Sequence, residues 1–148
     1  MSKAGEVPFE ITHLVRDNCL CLHVQRAART LARRFDEALR PVDLTNGQFS
    51  LLMSLNRPNP PGMSAVANLL AMDRTTLTAA LKPLERRGLL TVIIDEGDRR
   101  NRLLKLTPAG RRVLAKAVPI WKDTHAEIEA TLPGSDPDRL RADLQALS

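Results

Sequence analysis

The chain has 148 residues, 43% of them hydrophobic and 26% charged, which suffices for one globular domain with a real core. Its formal net charge of +5 is compatible with an anionic partner but does not identify one. Aromatic residues make up 3% and tyrosine is absent, which argues against a stacking surface for single-stranded nucleic acid. No apolar run reaches the roughly 18 residues that span a bilayer, and the first ten residues do not resemble a signal peptide. We therefore expect a cytoplasmic protein.

A long helix is predicted from Ile11 to Arg40, and Pro41 ends it. Apolar residues recur along this helix at spacings of three, four or seven and form one stripe: Leu14, Cys21, Val24, Ala28, Leu31, Phe35 and Leu39. A helix of about 30 residues, with a rise of about 1.5 Å per residue, is longer than so small a domain needs. Part of the stripe is therefore expected to pack against a second subunit. Four arginines lie mostly off the stripe, where a solvated face is expected and a supporting phosphate contact is the alternative: Arg26, Arg29, Arg33 and Arg34.

The segment 63–88 is typical of two short helices joined by a tight turn. Thr45 is suited to cap the helix before it, and Ser64 and Asp73 to cap its own two helices. Five apolar residues would hold the pair together: Val66, Leu70, Met72, Leu77 and Leu81. Polar side chains crowd the first turns of the second helix: Arg74, Thr75, Thr76 and Thr78. This pattern predicts a helix-turn-helix, whose recognition helix meets base edges and phosphates.

Two strands are predicted next, over Leu89–Ile94 and Leu103–Leu106, with the sequence DEGDRRNR between them. Two strands with a basic tip after a recognition helix form a wing. An arginine of the wing would contact the minor groove or the backbone of DNA. The alternative for each of Arg99 and Arg100 is a salt bridge to Asp73 or Asp98, and we expect one of the two to face DNA while the other pairs with Asp73.

Thr107 and Pro108 predict the start of a helix that runs to about Leu132. Its apolar positions step by four and three: Leu114, Val118, Trp121, His125, Ile128 and Leu132. A last helix begins after Asp136 and has one leucine face: Leu140, Leu144 and Leu147. Helices with apolar stripes at both ends of the chain predict an interdigitated homodimer.

With these elements in place, the chain resembles the MarR family of bacterial transcription regulators. The segments that carry the resemblance are LLAMDRTTLTAALKPLERRGLL, the DEGDRRNR wing and LKLTPAGRRVL. The expected fold is mainly α with a small β wing, as one MarR-type domain over residues 1–148. Its winged helix-turn-helix lobe is expected at about 45–107, and its dimerisation helices at about 11–40 and 108–147.

The resemblance implies a homodimer on a pseudo-palindromic DNA operator, acting as a repressor that a small organic ligand releases. The expected DNA contacts are Ser64, Arg74, Thr75, Thr76, Thr78, Lys82, Arg99, Arg100 and Arg102. The family often binds its ligand in a cleft between the dimer arm and the DNA-binding lobe. The residues expected to line that cleft are His23, Phe49, Met53 and Trp121.

Two alternatives stay open. Cys21 lies near the place where the organic-peroxide-sensing branch of the family has its reactive cysteine, although the tyrosines of that branch are absent here. Cys19 lies about 200° around the helix from Cys21, so the two are not expected to form a disulfide within one chain. The other alternative is a winged-helix module that docks to a protein, which the polar face at 74–78 disfavours.

No metal site, cofactor or catalytic constellation is predicted. The histidines and cysteines lack the spacing of metal ligands, and the chain has neither a phosphate loop nor paired carboxylates on one predicted face. We therefore do not expect an enzyme.

Overall fold

The computed structural model describes residues 5–148, so residues 1–4 of the predicted N-terminal arm lie outside the described part. The chain divides into two compact units, the first ending at Arg34 and the second spanning Phe35–Ser148. Along the described residues, no helix is long and apolar enough to cross a membrane.

The single helix predicted from Ile11 to Arg40 is wrong, because the chain forms α1 (Phe9–Asn18) and α2 (Leu20–Ala38) with a break at Cys19. Cys19 is extended (ψ 109°), and its Sγ accepts the backbone N–H of Leu22 at 3.4 Å. On the other side of the break, the Asn18 side chain donates to the carbonyl of Leu14 at 2.9 Å. Side chains that bond the nearby backbone in this way compete with the helical ladder and explain the break.

Within the first unit, the predicted apolar stripe lies at the surface of the protomer. Leu14 is 55% exposed and Val24 and Leu31 are each 39% exposed. Cys21 is also exposed. At the end of the same stripe, in the second unit, Leu39 is fully buried.

The second unit contains a 3-10 turn at Arg40–Val42 and seven further elements. These are α3 (Asn46–Ser54), α4 (Met63–Leu70), α5 (Arg74–Arg86), β1 (Leu90–Ile94), β2 (Arg102–Leu106), α6 (Pro108–Ala130) and α7 (Pro137–Ala146). The largest fully buried side chains come from the residue before the 3-10 turn, from α3, α4 and α5, and from both strands: Leu39, Leu51, Leu52, Val66, Leu77, Leu84, Leu90 and Leu104. The predicted fold class, mainly α with a small β wing, is confirmed.

Most helix starts follow the predicted capping residues. Thr45 forms a capping box with Gln48, Asp73 accepts the N–H of Thr76, and Thr107 accepts the N–H of Gly110. The predicted cap at Ser64 is wrong. Helix α4 begins at Met63, its N-cap is Gly62, and no side chain caps it.

The reason for this earlier start is a contact made by the residues before α4. The N–H of Leu104 donates to the carbonyl of Pro61 at 2.8 Å, and Gly62 forms a β-bridge with Leu103. The segment 61–62 is thus paired with β2, and β2 pairs on its other side with β1 from Leu90↔Leu106 to Ile94↔Arg102. This pairing fixes the base of the wing against the start of the helix-turn-helix.

Candidate nucleic-acid interface

Helix α5 turns one polar face to solvent because its apolar face is in the core. Leu77, Leu81 and Leu84 are at most 4% exposed. The residues on the other side of the helix line one open groove: Arg74, Thr75, Thr78, Ala79 and Lys82. Four of the predicted DNA-contacting residues therefore lie side by side on the recognition helix.

A second groove joins this helix to the wing. Arg102 of β2 lines it together with Arg74 and Lys82, and Glu85 adds one carboxylate. Its volume is about 390 Å³, and its remaining lining residues are Met63, Thr78, Leu81 and Val92. Three cations from two elements thus surround one groove, and an electropositive groove attracts a polyanion.

The three threonines of α5 differ in what their hydroxyl groups can do. Thr76 donates its hydroxyl to Asp73 Oδ2 at 3.0 Å, and Thr78 donates its hydroxyl to the carbonyl of Arg74 at 2.8 Å. Both oxygens keep lone pairs, so these two side chains are available mainly as acceptors. Thr75 is exposed, and its hydroxyl donates to nothing within residues 5–148.

The carboxylate of Asp73 caps the start of α5. It accepts the backbone N–H of Thr76 at 2.7 Å as well as the Thr76 hydroxyl. These hydrogen bonds to Thr76, the backbone one foremost, lower the pKa of Asp73 below its ordinary value. The prediction that Arg99 or Arg100 pairs with Asp73 is wrong for the described residues, because neither arginine forms an ion pair with it.

The tip of the wing is shaped by backbone contacts. Asp98 accepts the backbone N–H of Arg100 at 3.1 Å, and Asp95 accepts that of Gly97 at 3.0 Å. Arg102 donates to the carbonyl of Arg99 at 3.0 Å. Arg102 lines the groove beside the recognition helix, whereas Arg99 lines a separate pocket with Ile94 and Glu96.

Five residues that line the grooves were not among the predicted DNA contacts: Met63, Ala79, Leu81, Glu85 and Val92. Four of the predicted contacts line neither groove: Ser64, Thr76, Arg99 and Arg100. Glu85 follows Lys82 by three residues, and this helical spacing is the signal that would have found it. Ser64 is exposed on α4.

Two of the four residues predicted for a ligand cleft come together. The rings of Phe49 and Trp121 stack with centroids 6.3 Å apart, and Trp121 stacks on His125 at 4.6 Å. Phe49 is 8% exposed, and Met53 is 39% exposed. His23 lies in the first unit, where its Nδ1 is 2.7 Å from the carbonyl oxygen of Cys19.

Comparison with known proteins agrees with this geometry. The sequence profile of the MarR family matches residues 44–101, which contain α3, α4, α5, β1 and the tip of the wing. The organic hydroperoxide resistance transcriptional regulator of Bacillus subtilis is 30% identical over 108 residues, which cover 73% of this chain and 74% of that protein. The transcriptional activatory protein BadR of Rhodopseudomonas palustris is 35% identical over 99 residues, which cover 65% of this chain and only 57% of BadR.

A solved structure is similar over most of the chain. The M. tuberculosis transcriptional regulator MosR in complex with DNA is 41% identical and has a TM-score of 0.80. The match covers 88% of this chain and 93% of MosR. Proteins of this kind are transcription regulators, so the expectation that the chain is not an enzyme is met. The chain belongs to the MarR family and is a DNA-binding transcriptional regulator with a winged helix-turn-helix.

Proposed function

We propose that a homodimer of this chain binds a pseudo-palindromic operator in double-stranded DNA and represses transcription until a small organic ligand releases it. The observation that carries the DNA part is the groove in which Arg74 and Lys82 of α5 meet Arg102 of the wing. The MosR structure, which is a complex with DNA, supports the same assignment. Because its target would be the genome of a bacterial cell, the proposed location is the cytoplasm.

In this proposal, the first turns of α5 enter the major groove. Arg74 and Thr75 would read base edges or phosphates, with Thr78 accepting hydrogen bonds. Lys82 and Arg102 would neutralise phosphates, and Arg99 and Arg100 would reach the DNA from the tip of the wing. Ser64 would donate its hydroxyl to a phosphate oxygen, whereas Thr76, whose hydroxyl already donates to Asp73, would accept only from a base amino group.

The dimer is supported by apolar surface at both ends of the chain. In the first unit, Leu14 and Leu20 are 55% and 68% exposed, and in the second unit Leu140 and Leu147 are 40% and 63% exposed. Exposed leucines in helices of this kind are typical of an interface between subunits. A two-fold dimer would present two recognition helices about one helical turn of DNA apart.

The aromatic stack of α3 and α6 supports the proposed release by a small organic ligand. Trp121 is half-buried between Phe49 and His125, so a planar organic molecule could pack against the same apolar surface. Repression is the more common direction of regulation in the family that the sequence resembles, but BadR is named as an activator. A reporter gene placed under the operator that this protein binds shows directly whether the protein represses or activates transcription.

A salt titration tests DNA binding. The logarithm of the affinity for operator DNA should fall linearly with the logarithm of salt concentration, with a slope of about −0.9 per phosphate contacted. Arg74→Ala should weaken binding to the operator, while Lys122→Ala, a matched loss of charge on the exposed face of α6, should not. Affinity that does not respond to salt would instead favour the protein-docking module.

A thiol-based response is the second candidate, and one observation favours it. Cys21 is exposed in the protomer, and its Sγ accepts a hydrogen bond from Gln25 at 3.2 Å. A relative is named as a regulator of organic hydroperoxide resistance. If this candidate holds, peroxide should abolish operator binding by the wild type and leave Cys21→Ser bound, whereas Cys19→Ser should separate the roles of the two thiols.

A further inference from the structure

A small cavity lies in the second unit, where three segments meet. It is bounded by the proline-rich loop after α3, by the end of β2 and by the first turn of α6. Its volume is about 80 Å³, and its lining residues are Leu55, Asn56, Arg57, Pro58, Pro60, Lys105, Leu106 and Arg111. None of these residues lines the grooves of the recognition helix.

The charges around this cavity are all of one sign. Arg57, Lys105 and Arg111 come from three different segments, and no carboxylate lines the cavity. Within the described residues, none of the three forms an ion pair. Arg111 donates to the carbonyl of Leu106 at 3.4 Å, and this leaves most of its guanidinium N–H groups for another acceptor.

The wall of the cavity strengthens the field of these cations. Leu55 and Leu106 are 3% and 4% exposed, so one side of the cavity is apolar core. A recess with cations of one sign and a wall of low dielectric concentrates counter-ions. The amide of Asn56 adds a neutral donor at the same place.

The cavity is also separate from the DNA-facing groove along β2. Lys105 lines the cavity, whereas Arg102, three residues earlier in the strand, lines the groove beside α5. The two cations of β2 therefore belong to different surfaces.

We propose that Arg57, Lys105 and Arg111 form a binding site for a free oxyanion of the size of phosphate, either inorganic or as the terminal group of a small phosphorylated molecule. One water needs roughly 10–15 Å³ of such space, so a cavity of about 80 Å³ has room for a tetrahedral oxyanion. Arginine and lysine donors match its several oxygens. The site is independent of the proposed operator binding.

Thermal unfolding of the full chain tests this site. Sodium phosphate replaces sodium chloride at constant ionic strength, and sulfate serves as a second probe. The unfolding midpoint should rise saturably, by roughly 3–6 °C at about ten times Kd. The increment should be lost in Lys105→Gln and in Arg57→Gln, both of which change exposed side chains.

Arg112→Gln is the matched control, since Arg112 is exposed, carries the same charge and does not line the cavity. It should respond to phosphate as the wild type does, which also accounts for general salting effects. The proposal would be overturned if phosphate raised the unfolding midpoint equally in the wild type and all three variants, or did not raise it in the wild type. If Lys105→Gln and Arg57→Gln weaken DNA binding while phosphate has no saturable effect, the cations serve a DNA phosphate and the proposal is wrong.

Discussion

Gly110 in the first turn of α6 lies directly against the backbone carbonyl of Leu89, so closely that a Cβ on Gly110 would overlap the carbonyl oxygen. The same carbonyl accepts the N–H of Thr107 at 3.1 Å. The start of the wing and the start of α6 therefore meet through backbone atoms, which cannot move aside as a flexible side chain would. This contact sets the position of the wing relative to the core of the second unit.

Gly110→Ala should destabilise the protein, because the added methyl group must displace the backbone of Leu89. We expect a loss of about 1–3 kcal/mol in the free energy of unfolding, measured by urea denaturation. Gly47→Ala in α3 is the control: a Cβ there meets nothing within 4 Å, and the change should be neutral or stabilising by about 0.5–1 kcal/mol. A neutral Gly110→Ala would show that the backbone of Leu89 yields to the added methyl group at little cost.

Thr107 holds the same junction with its side chain. Its hydroxyl donates to the carbonyl of Gly88 at 2.6 Å and accepts the N–H of Gly110 at 3.0 Å. Thr107→Ala should therefore cost about 1–2 kcal/mol in unfolding free energy, as the loss of a helix cap and of a hydrogen bond. Thr107→Ser keeps the hydroxyl and should recover most of the loss; equal stability of the two variants would contradict this role.

Elements with a local signal were predictable to within a residue or two. The cap at Thr45 and the start of α6 at Pro108 each depend on neighbours in sequence. The strands were predicted within one residue of β1 and β2 because β-branched and apolar runs mark them.

The errors concern features that depend on contacts distant in sequence or on one side chain. The start of α4 follows from the pairing of Pro61 with β2, which no local pattern encodes. The break at Cys19 rests on Asn18 bonding back to the helix. The partner of Asp73 turned out to be Thr76, three residues away, and not a wing arginine whose position depends on the whole hairpin.

Acid should loosen the start of the recognition helix. The pKa of Asp73 is lowered by its hydrogen bonds to Thr76, so the carboxylate stabilises the folded state above the ordinary value of about 4, and this contribution is lost as the pH falls through the lowered value. Unfolding free energies between about pH 2 and 6 should show this loss. Asp73→Asn still caps the helix but carries no charge, and its stability should depend less on pH; identical profiles would refute the assignment.

Lys82 should contribute a phosphate contact without sequence information. It is exposed beside Arg74 and Arg102 in the groove between α5 and the wing. Lys82→Ala should weaken specific and non-specific DNA binding alike and reduce the salt slope by about 0.9 per site. Lys122→Ala on α6 should leave the slope unchanged. A loss confined to the specific operator would mean that Lys82 reads a base.

Helix α7 should be part of the subunit interface. Leu144 is 41% exposed on the apolar face that also contains Leu140 and Leu147. Leu144→Asp places a charge on that face and should shift the protein from dimer to monomer, as measured by light scattering. Because a monomer contacts one half-site, the salt slope of DNA binding should fall to about half. Gln145→Asp introduces the same charge at the next position, about 100° around the helix, and should remain dimeric; a dimeric Leu144→Asp would place the interface elsewhere.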